Sequence, residues 1–102
     1  MIVVSAATGE FGRLVVERLL ERVSVSTVAV AVRNPGKAED WAAVGVEVRQ
    51  ADYDDPASLR TAFAGADRLL FISAPISEGP ISRVDQHRNV VAAARWSRFG
   101  VE

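Results

Sequence analysis

The chain has 102 residues, of which 49% are hydrophobic and 25% are charged, as is ordinary for a single globular domain. The formal net charge is −1, so the chain has no excess of Lys and Arg that could neutralise phosphate groups. This argues against binding to nucleic acids or anionic membrane surfaces. The absence of cysteine excludes disulfides, thiolate ligands and cysteine nucleophiles. Met1 leads directly into an apolar run without a basic segment, so we expect no signal peptide. No apolar run approaches the roughly 18 residues of a membrane span, and we expect a cytoplasmic location.

The chain begins with an apolar run, a glycine-containing turn and an amphipathic segment. Residues 2–4 predict a strand, and the turn that follows contains Gly9 and Gly12. A helix is predicted next, because apolar or small residues recur along one face; they are Gly12, Val15, Val16, Leu19, Leu20 and Val23. Strand, glycine turn and helix in this order form a phosphate-binding unit, in which free N–H groups at the helix start bind a pyrophosphate.

The next two strands differ in their apolar pattern. Residues 27–32 are apolar on both faces, which is typical of a central parallel strand covered by helices. Residues 37–44 predict a short helix, with Gly45 just beyond its end. Residues 46–49 alternate between apolar and polar side chains, as expected of an edge or half-exposed strand.

The third helix has clear start and stop signals. Asp54 or Asp55 is predicted to cap it, Pro56 takes its first turn, and Gly65 follows its end. Residues 69–72 are entirely apolar and predict a fully buried fourth strand.

A loop over residues 73–80 and a long helix over residues 81–98 complete the pattern. The long helix places four residues at helical spacing, which are Val84, His87, Val91 and Ala94. Alternating strands and helices predict an α/β fold, namely a Rossmann-type doubly wound parallel sheet with the strand order 3-2-1-4. The chain stops where a fifth strand is expected, so we expect the truncated front portion of a longer protein.

Residues 5–12, Ser-Ala-Ala-Thr-Gly-Glu-Phe-Gly, resemble the Thr-Gly-Ala-Thr-Gly-x-x-Gly fingerprint of the atypical short-chain dehydrogenase/reductases. The resemblance is closest to the NmrA-like branch and its NADPH-dependent quinone oxidoreductases. Residues 32–35, 48–55 and 86–90 also look like that family, and in the same order. Ala6 departs from the fingerprint, which has its first glycine there. The resemblance implies an NAD(P)-binding Rossmann domain over residues 1–102, without the later strands and the substrate-binding part.

A basic residue after the second strand bears on cofactor choice. Arg33 lies about 20 residues beyond Gly12, where this architecture faces the adenosine ribose. An arginine there can pair with a 2′-phosphate, and Lys37 adds a second positive charge, so we expect NADP, with NADPH preferred over NADH. The alternative is a solvated arginine before a turn.

Asp52 and Tyr53 follow the third strand, and the resemblance implies that they lie against the adenine. The carboxylate could accept the exocyclic amine and the ring could form an apolar wall. The alternative is that Asp52, Asp54 and Asp55 only cap the next helix. The same three aspartates resemble a weak metal site, but no further ligands accompany them and no metal is predicted.

The loop after the fourth strand is expected at the nicotinamide side of the cofactor, because ligands bind outside the carboxyl ends of parallel strands. The complete set of predicted cofactor contacts is Ala6, Thr8, Gly9, Glu10, Phe11, Gly12, Arg33, Lys37, Asp52, Tyr53, Ser73, Ala74 and Pro75. His87 is the single histidine, and we interpret it as a packed or surface residue rather than a catalyst. Catalytic residues are not assigned, since Tyr53 has Ala57 where the Tyr-x-x-x-Lys pair needs its lysine.

The resemblance implies an oxidoreductase that passes hydride from NADPH to a quinone or a similar small electrophile. We expect the 102-residue chain alone to be inactive. Two alternatives remain, a dinucleotide-sensing regulator without turnover and an inactive truncated product. An unpaired edge at residues 69–72 also predicts self-association.

Overall fold

The structure, a computed structural model, describes residues 1–5, 9–72 and 83–99. These residues form a four-stranded parallel sheet with helices on both faces and the strand order β3-β2-β1-β4, which confirms the predicted fold class and order. The strands are β1 (Ile2–Ser5), β2 (Val28–Val32), β3 (Glu47–Gln50) and β4 (Arg68–Leu70). The helices are α1 (Glu10–Leu20), α2 (Glu39–Ala43), α3 (Pro56–Ala62) and α4 (Arg83–Phe99).

The two faces of the sheet are covered by different helices. On one face, Val4 of β1 lies in a core cluster with Val16 of α1 and Trp41 of α2. On the other face, Val3 lies in a cluster with Leu59 of α3 and with buried residues of α4. Alternate residues of β1 therefore face opposite cores. As predicted for a central strand, β2 is buried along its whole length.

The fourth strand is less buried than the sequence predicts. Residues 69–72 were expected to be fully buried, but Leu70 is 42% exposed, and Phe71 and Ile72 are half-buried beyond the strand end. Within the described part of the chain β4 pairs with β1 alone. An apolar run shows that a strand can be buried, but it does not show how many neighbours the strand has.

The buried face of α4 also differs from the apolar spacing in the sequence. Gln86, Val90 and Ala93 are buried, whereas Val84 is 60% and Val91 is 55% exposed. The polar Gln86 is drawn inward because its Nε2 donates to the Asp54 carboxylate at 2.7 Å. A hydrogen bond between distant segments thus sets the rotation of the helix.

The hydroxyl of Tyr53 joins the carboxyl ends of β1 and β4. Its Oη lies 2.8 Å from Ser5 Oγ and 2.8 Å from the carbonyl oxygen of Ile72. Since a phenol has one hydrogen and a carbonyl only accepts, Tyr53 donates to Ile72 and accepts from Ser5. The backbone N–H of Ile72 donates in turn to Ser5 Oγ at 3.2 Å, so one polar cluster fixes the two strand ends together.

Helix α4 docks on the segment between β3 and α3, residues 51–55. Asn89 Nδ2 donates to the Tyr53 carbonyl at 3.0 Å. The Tyr53 ring meets Phe71 edge-on, with centroids 5.5 Å apart, and Phe71 meets the His87 ring at 5.1 Å. The stretch containing Gln86, His87 and Asn89 therefore attaches this helix to the strand ends.

Burial of Tyr53 predicts an unusual titration. Burial disfavours the tyrosinate and raises the pKa of Tyr53 to about 12. Because this is the only tyrosine of the chain, tyrosinate absorbance reports it directly. We expect a titration midpoint near 12 for the folded chain and about 10 in denaturant. The native pKa exceeds the unfolded one, so this group's contribution to stability is complete below the unfolded pKa and is lost as the pH rises towards the native pKa.

The Ser5→Ala variant is the control for this titration. The Ser5 hydrogen bond lowers the pKa of Tyr53 against the effect of burial, so its removal should move the midpoint higher still. A midpoint in the folded chain equal to that in denaturant would contradict the burial and hydrogen bonding of this hydroxyl.

The two positive-φ glycines predict a graded loss of stability. Gly45 has φ of 101° and Gly65 has φ of 75°, where L side chains are strained by about 1–2 kcal/mol. A Cβ at Gly45 would also meet Val25 Cγ2 at 3.2 Å, whereas a Cβ at Gly65 would meet nothing within 4 Å. Chemical denaturation should show a larger loss for Gly45→Ala than for Gly65→Ala, and the reverse order would be inconsistent with these contacts.

Candidate functional site

The candidate site lies at the carboxyl ends of β1, β2 and β4. The strands are parallel and in register, with Val4 opposite Val30 on one side and Leu70 on the other. Strand order reverses between β1 and β4, and ligands of open α/β sheets bind at such a reversal. The predicted contacts Ala6 and Thr8, and the segment 73–75 with Ser73, Ala74 and Pro75, lie outside the described residues.

The start of α1 offers backbone donors at this edge. Gly9 is the N-cap, with an extended backbone and no side-chain cap, and its carbonyl accepts from the Arg13 N–H at 2.9 Å. The N–H groups of the first turn, which belong to Glu10, Phe11 and Gly12, have no partner within a helix and attract anions. Gly12 is buried against the core, whereas the side chains of Glu10 and Phe11 are exposed.

Arg33 and Lys37 lie at either end of one exposed turn after β2. Pro35–Ala38 forms a 3-10 turn, and the Asn34 side chain caps it by accepting from the Gly36 N–H at 3.0 Å. Both basic side chains are exposed, and neither forms an ion pair with residues 1–5, 9–72 or 83–99. Two uncompensated positive charges therefore stand just beyond the end of β2.

Arg13 connects α1 to this turn, and sequence reasoning missed it. Its Nη1 lies 2.7 Å from Asp40 Oδ2, and its Nη2 donates to the carbonyl of Lys37 at 2.6 Å. The guanidinium also lies over the Trp41 ring, 5.6 Å from the centroid. The hydrogen bond to Arg13 holds the pKa of Asp40 below its usual value and raises the pKa of Arg13. The sequence showed only an arginine on the polar face of a helix, because its partners lie in a different segment.

The aspartates between β3 and α3 have separate local roles. Asp55 caps α3 by accepting from the Ala57 N–H at 3.1 Å, and Pro56 begins the helix, as predicted. Asp52 Oδ1 accepts from the Asp54 N–H at 2.9 Å, which leaves the second carboxylate oxygen for other donors. Among the described residues no group of three His, Asp or Glu side chains could hold a metal ion.

Tyr53 and His87 make internal contacts next to the site. The Tyr53 hydroxyl is engaged by Ser5 and Ile72, and its ring packs on Phe71, which also contacts His87. A contact between Tyr53 and an adenine stays a prediction, and it would involve the part of the ring that is accessible to solvent. Over the described ranges, no helix has the length and apolar character to cross a membrane.

Comparisons with known proteins agree with this geometry. A sequence model of the NAD(P)H-binding family matches residues 6–99. Quinone oxidoreductase 2 of Escherichia coli (strain K12) is 46% identical over 95 residues, which cover 93% of this chain and 32% of that protein. An NmrA-like family domain-containing oxidoreductase of Aspergillus flavus is 33% identical over 93 residues, covering 90% of this chain and 30% of that protein.

Solved structures give the same result. Triphenylmethane reductase of Citrobacter sp., in complex with NADP(H), superposes with a TM-score of 0.89 at 48% identity, covering 99% of this chain and 34% of that one. The NADPH complex of an Escherichia coli NADPH-dependent quinone oxidoreductase superposes with a TM-score of 0.86 at 46% identity. This match covers 99% of this chain and 34% of that one. The chain thus spans about a third of the length of the relatives it matches. Since the family match extends over most of its residues, the chain belongs to the NAD(P)H-binding family, as an NmrA-like domain.

Proposed function

We propose that the chain is the NADP(H)-binding portion of an oxidoreductase that passes hydride from NADPH to a quinone or a similar small electrophile. The single observation that carries the proposal is the pair of unpaired cations, Arg33 and Lys37, on a turn tied to the start of α1. Two similar structures are named as complexes with NADP(H) or NADPH, which supports the same cofactor here.

The residues at the site fit such a cofactor. The N–H groups at the start of α1 would bind the pyrophosphate, and Gly9 puts no side chain in their way. Arg33 and Lys37 would bind the 2′-phosphate, which a guanidinium can hold with two parallel hydrogen bonds. The free carboxylate oxygen of Asp52 would accept from the adenine amine. Contacts from Ala6, Thr8 and residues 73–75 remain predictions of the sequence.

The nicotinamide would supply the hydride, and this chain would bind and orient the cofactor. Tyr53 is a poor candidate for a proton donor, because its hydroxyl already donates to Ile72 and its pKa is raised to about 12. We therefore assign it no catalytic role. The acceptor, its binding residues and a cytoplasmic location are also part of the proposal, as is self-association through the accessible edge of β4.

A dinucleotide-sensing protein without turnover would use the same binding residues. The hydroxyl of Tyr53, the only tyrosine in the chain, already forms hydrogen bonds with Ser5 and Ile72. This observation favours the second candidate. Oxidation of NADPH on addition of a quinone separates the two in a longer protein that contains this domain. Binding without oxidation would favour the sensor.

Replacement of Arg33 tests the 2′-phosphate site. A charge-assisted hydrogen bond contributes about 1.5–3 kcal/mol, so we expect NADPH to bind roughly 10- to 150-fold more tightly than NADH. Arg33→Ala should remove most of that difference and leave NADH affinity nearly unchanged. Isothermal titration calorimetry with both cofactors measures this directly.

Arg68→Ala is the matched control for this experiment. Arg68 is also exposed, but it pairs with Ile2 at the start of β4 and so lies at the opposite, amino-terminal edge of the sheet. Its removal should leave the preference intact. Equal affinity of the unaltered chain for NADPH and NADH would refute the 2′-phosphate site.

A further inference from the structure

Arg13 links the two places where the proposed cofactor carries phosphate. It directly follows Gly12 in the first turns of α1, where the pyrophosphate would bind. Its guanidinium donates to the carbonyl of Lys37 at 2.6 Å, in the turn that would hold the 2′-phosphate. One side chain therefore spans the distance between the two sites.

The Arg13 guanidinium is itself engaged and does not serve as a further phosphate ligand. Arg13 Nη1 forms an ion pair with Asp40 Oδ2 at 2.7 Å, and the guanidinium packs on the face of the Trp41 ring. Arg33 and Lys37, by contrast, are exposed and form no ion pair with the described residues. Arg13 can thus act on the cofactor only through the position of the turn.

The exposed part of the turn contributes no side chain to the core. Residues 33–37 are all exposed, and the Asn34 cap fixes the internal shape of the turn rather than its placement. The buried Ala38 anchors the last residue of the turn, and Trp41 anchors α2 beyond it. The hydrogen bond from Arg13 to Lys37 therefore fixes the part of the turn that carries the cations.

We propose that Arg13 is a positioning residue for NADP(H) specificity, which holds the Arg33–Lys37 turn at a fixed distance from the start of α1. A dinucleotide with its pyrophosphate at α1 then meets both cations with its 2′-phosphate. This inference rests on the proposed function. NADH lacks the 2′-phosphate and makes no use of the turn, so Arg13 affects the binding of NADPH and not that of NADH.

The test is isothermal titration calorimetry of NADPH and NADH with the 102-residue chain and its Arg13→Ala variant. We expect NADPH affinity to fall about three- to tenfold, as for the loss of one hydrogen bond of ordinary strength, and NADH affinity to stay nearly constant. The thermal midpoint should change little, because exposed ion pairs contribute little to stability. An equal loss for both cofactors, or no loss for either, would overturn the proposal.

Two further variants separate positioning from charge. Arg13→Ala/Asp40→Asn removes the ion pair without changing the net charge, so its NADPH-to-NADH preference should be as low as that of Arg13→Ala. Restoration of the full preference would mean that an exposed Asp40 charge, and not the position of the turn, had weakened NADPH binding, and positioning would be refuted. Arg18→Ala removes an exposed arginine of α1 that is paired with Glu21 at the end of that helix, and it should leave the preference unchanged.

The outcome also distinguishes this inference from the proposed function. A preference for NADPH that depends on Arg33 but not on Arg13 would refute the positioning role alone. An unaltered chain without any preference would refute both.

Discussion

The ends of β1 and β4 are joined by a polar cluster of Ser5, Tyr53 and Ile72, and the shape of the candidate site depends on these contacts. The Tyr53 Oη lies 2.8 Å from both Ser5 Oγ and the Ile72 carbonyl, so the two strands end at a fixed separation. The same residue accepts from Asn89 through its carbonyl, which brings α4 to the strand ends. A buried polar cluster of this kind stabilises one arrangement because each group would be costly to leave unpaired.

A second connection orients the other side of the site. Arg13 joins the first turns of α1 to the carbonyl of Lys37 and to Asp40. The backbone donors at α1 and the cations of the turn are therefore set before any cofactor arrives. Such preorganisation improves affinity because less conformational freedom is lost on binding. In the function proposed here, a helix start that suits any dinucleotide is combined with a basic turn that would select the 2′-phosphate.

Much of the fold could be predicted from local signals. The extended apolar run of β2 predicted a buried central strand, Asp55 and Pro56 predicted the start of α3, and Gly45 and Gly65 marked turns where φ is positive. Strand order followed from the alternation of strands and helices together with the right-handed crossover rule. These features are encoded within a few neighbouring residues.

The remaining features depend on contacts between distant segments. The burial of Gln86 follows from its hydrogen bond to Asp54, which apolar periodicity cannot reveal. The exposure of Leu70 depends on how many strands flank β4. Arg13 has partners in the turn and in α2, so its spacing within α1 indicated only a solvated face. The assignment of phosphate-binding segments thus stays a prediction of the sequence, and the contacts that hold those segments in place could not be predicted from it.

The central claim is that the basic turn recognises the 2′-phosphate while the start of α1 binds the part common to both cofactors. The most direct measurement is nuclear magnetic resonance of the amide-labelled chain during titration with NADPH and with NADH. The account predicts that the amides of residues 9–12 shift with either cofactor, and that the amides of residues 33–37, apart from Pro35, shift with NADPH alone. Equal shifts of residues 33–37 with both cofactors, or shifts centred on the amino-terminal edge near Val28 and Arg68, would contradict it.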